Sequence, residues 1–371
     1  MYKMIQRSFL TASFALILAF GIQNQANAQL GDAGDILRAG TADANLLMES
    51  YLKPFGSGFG AGLNSGWMNT ARPYRTLGFD LRLNVALAVV PGSDRSFLMS
   101  DLEPFFSTLE RIGGPDETQT PFGEDVGGPT MGVFVDNPYS GNREMVTQFD
   151  MPQGTGLPYV PSAMAQLTVG IIKDTDVTLR YMPTVTYDDY SASLFGLGFK
   201  HGINQWLPGG DLLPVDISVQ MGFTKLTSEA GFSVLPPADD GNTTNPHSAD
   251  TWLGQQIEFE ANGFTGNVLV GKNLPIVALY AGLGFQTSKV TISTPGNYPI
   301  VVPNTAADFI TTGNEKRVDI VADPINLEFD GENSMHVLAG ARIRLGFLAI
   351  SASYTLAKYP VANVGVGISI R

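Results

Sequence analysis

The side chains in this sequence that could do chemistry are few and mostly isolated. It has three histidines, His201, His247 and His336, and no cysteine. A hydrolytic centre needs a nucleophile, a base and an orienting acid converging on one point. Only His336 has a serine, Ser334, at the two-residue spacing of one strand face. That spacing is common by chance, so no catalytic residue is assigned and no enzyme activity is expected. Asp239 and Asp240 lack the ordered ligand spacing of a calcium loop, so neither a metal nor a cofactor is expected. What remains is charge. Asp80, Arg82, Arg180, Lys200, Asp216, Glu258, Glu260, His336, Arg342 and Arg344 alternate with apolar or small residues at period two. Alternate positions of a strand share one face, and a charge set among large aliphatics must face the lumen of a membrane barrel. A lumen lined by both signs is a salt-bridge network or a selectivity lining. Structural pairing is the favoured reading, with Arg342 and Arg344 the positive lining if a pore exists.

The elements that would carry these residues are strands. Phe79, Leu81, Leu83, Val85, Leu87 and Val89 face one way and Asp80, Arg82 and Asn84 the other. Shorter runs follow at 165–171, 177–182, 195–200 and 215–224. In the next run Ile257, Phe259 and Ala261 oppose Glu258 and Glu260, and the phase shifts near Gly263, which predicts a β-bulge. A run from Val277 to Phe285 precedes three closing ones: 335–347, 348–356 and 363–370. Each of the closing runs keeps one apolar face for about nine residues or close to it, the length a tilted strand needs to cross a bilayer.

The first residues indicate a compartment. Lys3 and Arg7 precede an apolar core from Phe9 to Ile22, and Ala26-Asn27-Ala28 supplies small residues before a cut at Gln29, the three-part pattern of a secretory signal peptide over 1–28. The formal net charge is −13 for the whole chain and becomes −15 without that segment. An acidic chain with no basic patch is not expected to bind nucleic acid.

Asp43 caps a helical candidate, Ala44 to Lys53, which Pro54 is expected to end, so residues 29–54 form a short N-terminal helical segment. From Phe55 to Trp67 glycines alternate with larger residues, which reads as the first strand of a barrel over 55–371. Barrel closure would set Gly56, Gly58, Gly60 and Gly62 beside Gly365 and Gly367, a wall of very small inner side chains on which the helix could dock as a lumen plug. The helix lying at the periplasmic mouth is the other placement, and both stay open. Counting 96–112 gives twelve strands, which puts the long loops at 113–161, 227–255 and 291–333 outside and the short turns inside, as bacterial barrels require. Fourteen strands follow if 131–149 or part of the last long loop adds a hairpin. The last strand ends Ile368-Ser369-Ile370-Arg371, without the terminal aromatic that barrel assembly machinery reads.

The run from Asp43 to Pro54, then Gly58-Phe59-Gly60, Asn64-Ser65-Gly66-Trp67, Asn69-Thr70-Ala71, Leu77-Gly78-Phe79-Asp80 and Val89-Val90-Pro91, resembles a family of uncharacterised outer-membrane β-barrel proteins of Gram-negative bacteria, classed as a domain of unknown function. The resemblance implies a barrel and no established activity. More distantly, an N-terminal segment ahead of a barrel of this size is similar to long-chain fatty-acid channels, though that family's Asn-Pro-Ala start is absent here. The expectation is an all-β transmembrane antiparallel barrel in outer-membrane lipid. It would pass or bind a small or hydrophobic solute or, alternatively, keep a closed lumen and bind a partner through its loops.

Overall fold

The computed structural model describes residues 41–136, 141–236, 241–331 and 334–370. The expected signal segment, residues 29–40, and Asp239 and Asp240 lie outside the described residues.

Ten strands close into one antiparallel barrel: β1 (Phe79–Val89), β2 (Tyr159–Gly170), β3 (Thr175–Tyr187), β4 (Tyr190–Gly202), β5 (Asp216–Gly231), β6 (Gln256–Asn273), β7 (Val277–Ser293), β8 (Ser334–Leu345), β9 (Leu348–Leu356) and β10 (Val361–Ile370). Each pairs with its neighbours in sequence, and β1 closes on β10 from Phe79 opposite Ile370 to Ala88 opposite Val361. A further strand, Asn326–Asp330, pairs with the upper part of β7. All ten strands direct apolar side chains outward, among them Leu81, Leu167, Leu179, Phe195, Phe223, Val268, Leu283, Val337, Ile350 and Val366, all substantially exposed. Water would not tolerate so continuous an apolar band, whereas a bilayer requires it, so this is a membrane-spanning barrel of the outer-membrane type. The end carrying the long connections is the outer end, and the short turns at 171–174, 274–276 and 346–347 mark the periplasmic end.

Ten strands replace the twelve counted from sequence, and two elements account for the difference. Residues 55–67 are not a strand. Helix α1 runs Thr41–Asn64, straight through Pro54. Glycine at every second position is also glycine at every fourth, so Gly56/Gly60 and Gly58/Gly62 form two stripes on a helix as readily as one face of a strand. Residues 96–112 do not join the wall either. They sit in the first outer loop, where Ser96–Leu98 pairs with Glu117–Gln119, and Leu109–Gly113 joins a hairpin of Thr130–Asp136 and Arg143–Asp150. That hairpin, one basis of the fourteen-strand alternative, likewise belongs to the loop, and the hairpin of the last long loop, Asn297–Pro303 with Lys316–Ala322, lies in a separate sheet outside the wall. Losing two strands keeps the count even, so loop parity could not reveal the error. The bulge expected near Gly263 is absent, since β6 runs in unbroken register with both neighbours.

Candidate functional site in the barrel lumen

Helix α1 occupies the lumen and enters it from the outer end. At its start the buried carboxylate of Asp43 accepts hydrogen bonds from the backbone N–H groups of Ser107 (3.0 Å), Thr108 (2.7 Å) and Leu109 (3.0 Å) in the first outer loop. Asn45 donates to the carbonyl of Pro324 in the third. Burial by itself would push the Asp43 carboxyl up, but these hydrogen bonds outweigh it and hold its pKa below the ordinary Asp value. A carboxylate depressed in the folded state contributes stability above its unfolded pKa and loses it as pH falls through the folded one. Amide exchange at Ser107–Leu109 is therefore expected to stay slow from neutral pH down to about 4 and to accelerate only in stronger acid. In Asp43→Asn it should be fast across that range. Slow exchange in the variant would show that the carboxylate is not the anchor.

Deeper in, α1 packs through its glycines. A Cβ on Gly58 would stand 2.5 Å from Val160 Cγ2 on β2, and one on Gly62 2.5 Å from Ser162 Oγ. Phe55 and Phe59 meet Phe259 of β6 at ring separations of 5.3 and 5.2 Å. The upper lumen is thus apolar, built of Leu47, Met48, Tyr51, Met164, Leu194 and Ala261 with their neighbours.

The lower lumen is polar and centred on Arg180 of β3, which is fully buried. Its guanidinium donates to the carbonyls of Leu63 (2.6 Å) and Ser65 (2.5 Å), and to Gln166 and Thr224. Trp67 lies 3.6 Å from it, ring against cation. The Trp67 ring in turn rests on Gly198 of β4 and Gly222 of β5. Carbonyls at a helix C-terminus lack internal partners and carry the negative end of the helix dipole, so a cation from the wall caps α1 here. Below Trp67 the chain continues through a charged network. Asp176 pairs with Lys200 at 2.9 Å and accepts from the Tyr74 backbone N–H; Arg342 donates to the Tyr74 hydroxyl, which donates to Asp80, and Asp80 lies 3.6 Å from Arg82. Arg72 pairs with Asp216 at 2.7 Å. The cavity left between Trp67, Tyr74, Arg82, Asp176 and Lys200 is only about 10 Å³, room for roughly one water.

A family described as of unknown function, DUF6588, matches residues 3–370. This chain belongs to that family. No curated protein matches it. Among solved structures, similar chains include the attachment invasion locus protein Ail of Yersinia pestis (11% identity, 79% of this chain and 97% of that one, TM-score 0.24). The translocator domain of the autotransporter NalP from Neisseria meningitidis gives 11% identity, 80% and 90% coverage and a TM-score of 0.26. The outer-membrane transporter YddB from Escherichia coli gives 12%, 76% and 39%, and 0.28. Likenesses this low carry nothing about activity.

In this member of the family the charged residues singled out from sequence divide into three groups. Asp80, Arg82, Arg180 and Arg342 converge, with Lys200, on the lower lumen, and Asp216 holds Arg72 at its periplasmic edge. His336, also buried, makes a 2.7 Å hydrogen bond to Asn267, and Arg344 is half-buried near the turn into β9. Glu258 and Glu260 do not line the lumen. They share the outer face of β6 with Phe264, and Glu260 pairs with Lys225 there at 2.7 Å. The register keeps Phe259 inward instead, because the lumen at that height holds the phenyl rings of α1. Gly56, Gly58, Gly60 and Gly62 belong to the helix and not to a receiving wall. Gly365 and Gly367 do face inward, but Arg82 and Asn84 fill the space over them. Sequence reasoning passed over Trp67, Tyr74 and Asp176. Asp176 and Arg180 share the inner face of β3 with Thr178 between them, a spacing that could have flagged it. His201 is held by Thr175 and Trp206 at the periplasmic turn, while the Ser334 hydroxyl accepts from Gln286 and not from His336.

Proposed function

We propose that this protein is an outer-membrane barrel whose lumen is kept shut by α1, and that the outer loops are its working surface for a partner. One observation carries the reading: α1 runs down the lumen from the outer loops, and at the level of Trp67 and Tyr74 the chain after it leaves a cavity of only about 10 Å³, while the roomier hollow of about 630 Å³ lies at the outer end between the β3–β4 turn and Gly254–Gln256. The loops support it too. The first folds into two small sheets of its own, and Thr243–Thr244 of the second joins Asn297–Pro303 and Lys316–Ala322 of the third in another. The reconstituted protein is expected to give no steady current in a planar bilayer. Porin-like conductance from the intact chain would overturn the reading.

A second reading, a channel for a small or hydrophobic solute that opens when α1 moves, has a specific observation in its favour. The lower half of α1 contains Pro54, Gly56, Gly58, Gly60 and Gly62. Interior proline costs about 3 kcal/mol and each glycine about 1 kcal/mol against alanine, so this half is helical only because the lumen holds it. Currents that appear on deletion of residues 41–64 would support that reading, and silence in both forms would confine function to the loops.

A further inference from the structure

The wall of the barrel is incompletely bonded between β2 and β3. Their ladder runs only from Gln166 opposite Arg180 to Gly170 opposite Asp176. Above it, Tyr159–Ala165 stay paired to β1 on one side, and Tyr181–Met182 and Val185–Tyr187 to β4 on the other, but the two edges do not pair with each other. The other neighbouring pairs are bonded close to the ends of their strands, except β7 with β8, whose ladder stops at Gln286 opposite Ser334 and above which Lys289–Ser293 of β7 pairs with Asn326–Asp330 instead.

The unpaired edges lie at bilayer depth. Tyr159–Ala165 stand opposite Val89–Leu83 of β1, where Leu83, Val85 and Leu87 face lipid. Unpaired backbone groups are costly in hydrocarbon, where no water can satisfy them, which is why membrane barrels close their walls. The sequence nevertheless keeps this one open. Pro161 and Pro183 stand on the two lips with no N–H to donate. The register of β3 on β4 also shifts between Met182 and Val185, a bulge that bends β3.

The lips and the space behind them are apolar or small. Ala163 and Ala165 flank the gap on β2, and Met164 and Met182 back it as part of the cluster that includes Leu47, Met48 and Tyr51 of α1. The floor is the Gln166–Arg180 pair. Arg180 gives its hydrogen bonds to protein acceptors and caps α1, so no charge is offered to a headgroup at that depth.

We propose that this gap is a lateral site for one acyl chain of a bilayer lipid. The chain lies between Pro161–Ala165 and Tyr181–Val185, with its headgroup at the outer interface and its tail over Met164 and Met182. The site is independent of whether the lumen conducts.

The test uses the full mature chain in nanodiscs of phosphatidylethanolamine and phosphatidylglycerol containing a trace of phosphatidylethanolamine with a mid-chain diazirine. After irradiation, peptides covering 159–165 and 181–185 are expected to carry about tenfold more label than the lipid-facing positions Ile350 and Val364, because only there does the wall admit a chain. Ala163→Phe with Ala165→Phe, checked for an unchanged heat-dependent gel shift, should remove most of that enrichment. Label spread evenly around the apolar band would overturn the proposal, as would enrichment abolished by sub-micellar free fatty acid, which would make the ligand a free acid and not a bilayer lipid. Slow exchange of the Ala163 and Ala165 amides, which point toward β3, would show the ladder closed and overturn it as well.

Discussion

Replacing Arg180 with alanine is expected to destabilise the barrel by about 2–6 kcal/mol, the range for two buried carbonyls left without a donor, and to free the lower end of α1. The guanidinium touches the Leu63 and Ser65 carbonyls, Gln166, Thr224 and the Trp67 ring. Its loss leaves two buried carbonyls without partners, at about 1–3 kcal/mol apiece. Arg180→Lys keeps the charge but not the fork that reaches both carbonyls, so it should recover only part of the loss. Urea midpoints of the folded, heat-modifiable species measure the stability. Exchange of the amides in 55–64 reports the helix separately. Wild-type protection of those amides in Arg180→Ala would mean that the glycine packing above holds α1 unaided.

The second large effect is expected at Gly222. Any Cβ there collides with the Trp67 ring, which is boxed in by Gly198 on the next strand and by Arg180. Gly222→Val is expected to cost about 1–3 kcal/mol or more from overpacking, and Trp67→Ala about 3–5 kcal/mol from the cavity it leaves. Combined, the two should cost at least about 1 kcal/mol less than their sum, because the alanine vacates the space the valine needs. The same urea titration on the two single variants and the double variant measures this. Strict additivity would place the ring elsewhere in solution.

The ten wall strands were readable because each alternates apolar residues toward lipid with small or polar ones inward, and lipid permits no other pattern. Two failures share one physical source, which is that the lumen is not water. The rule that polar residues face inward holds in the lower half, where Asp80, Arg82, Asp176 and Arg342 meet, and it placed several site residues there. It inverts in the upper half, where α1 presents Phe55 and Phe59. There Ile257, Phe259 and Ala261 turn in and Glu258 and Glu260 turn out, which from sequence looked like a phase shift at Gly263. The extra strand at 55–67 came from the ambiguity of alternate glycines, resolved only by what surrounds them. Val160, Ser162 and Ser288 leave room for a helix backbone and for no Cβ. Arg180 as a cap was beyond reach for a related reason, since its acceptors are backbone carbonyls more than 100 residues away.

The direction of α1 sets the geometry of any fusion made to this protein. Its 24 residues span about 36 Å at 1.5 Å per residue, and they descend from the outer loops to the level of Arg180 before β1 climbs back. The described chain therefore traverses the membrane eleven times, once as a helix and ten times as strands, and an odd number of traverses leaves its two ends on opposite faces. Thr41 stands on the cell-surface side and Ile370 on the periplasmic side. A reporter inserted just ahead of Thr41 would be presented to antibodies on intact cells, while the same reporter after Ile370 would be reached only once the envelope is opened.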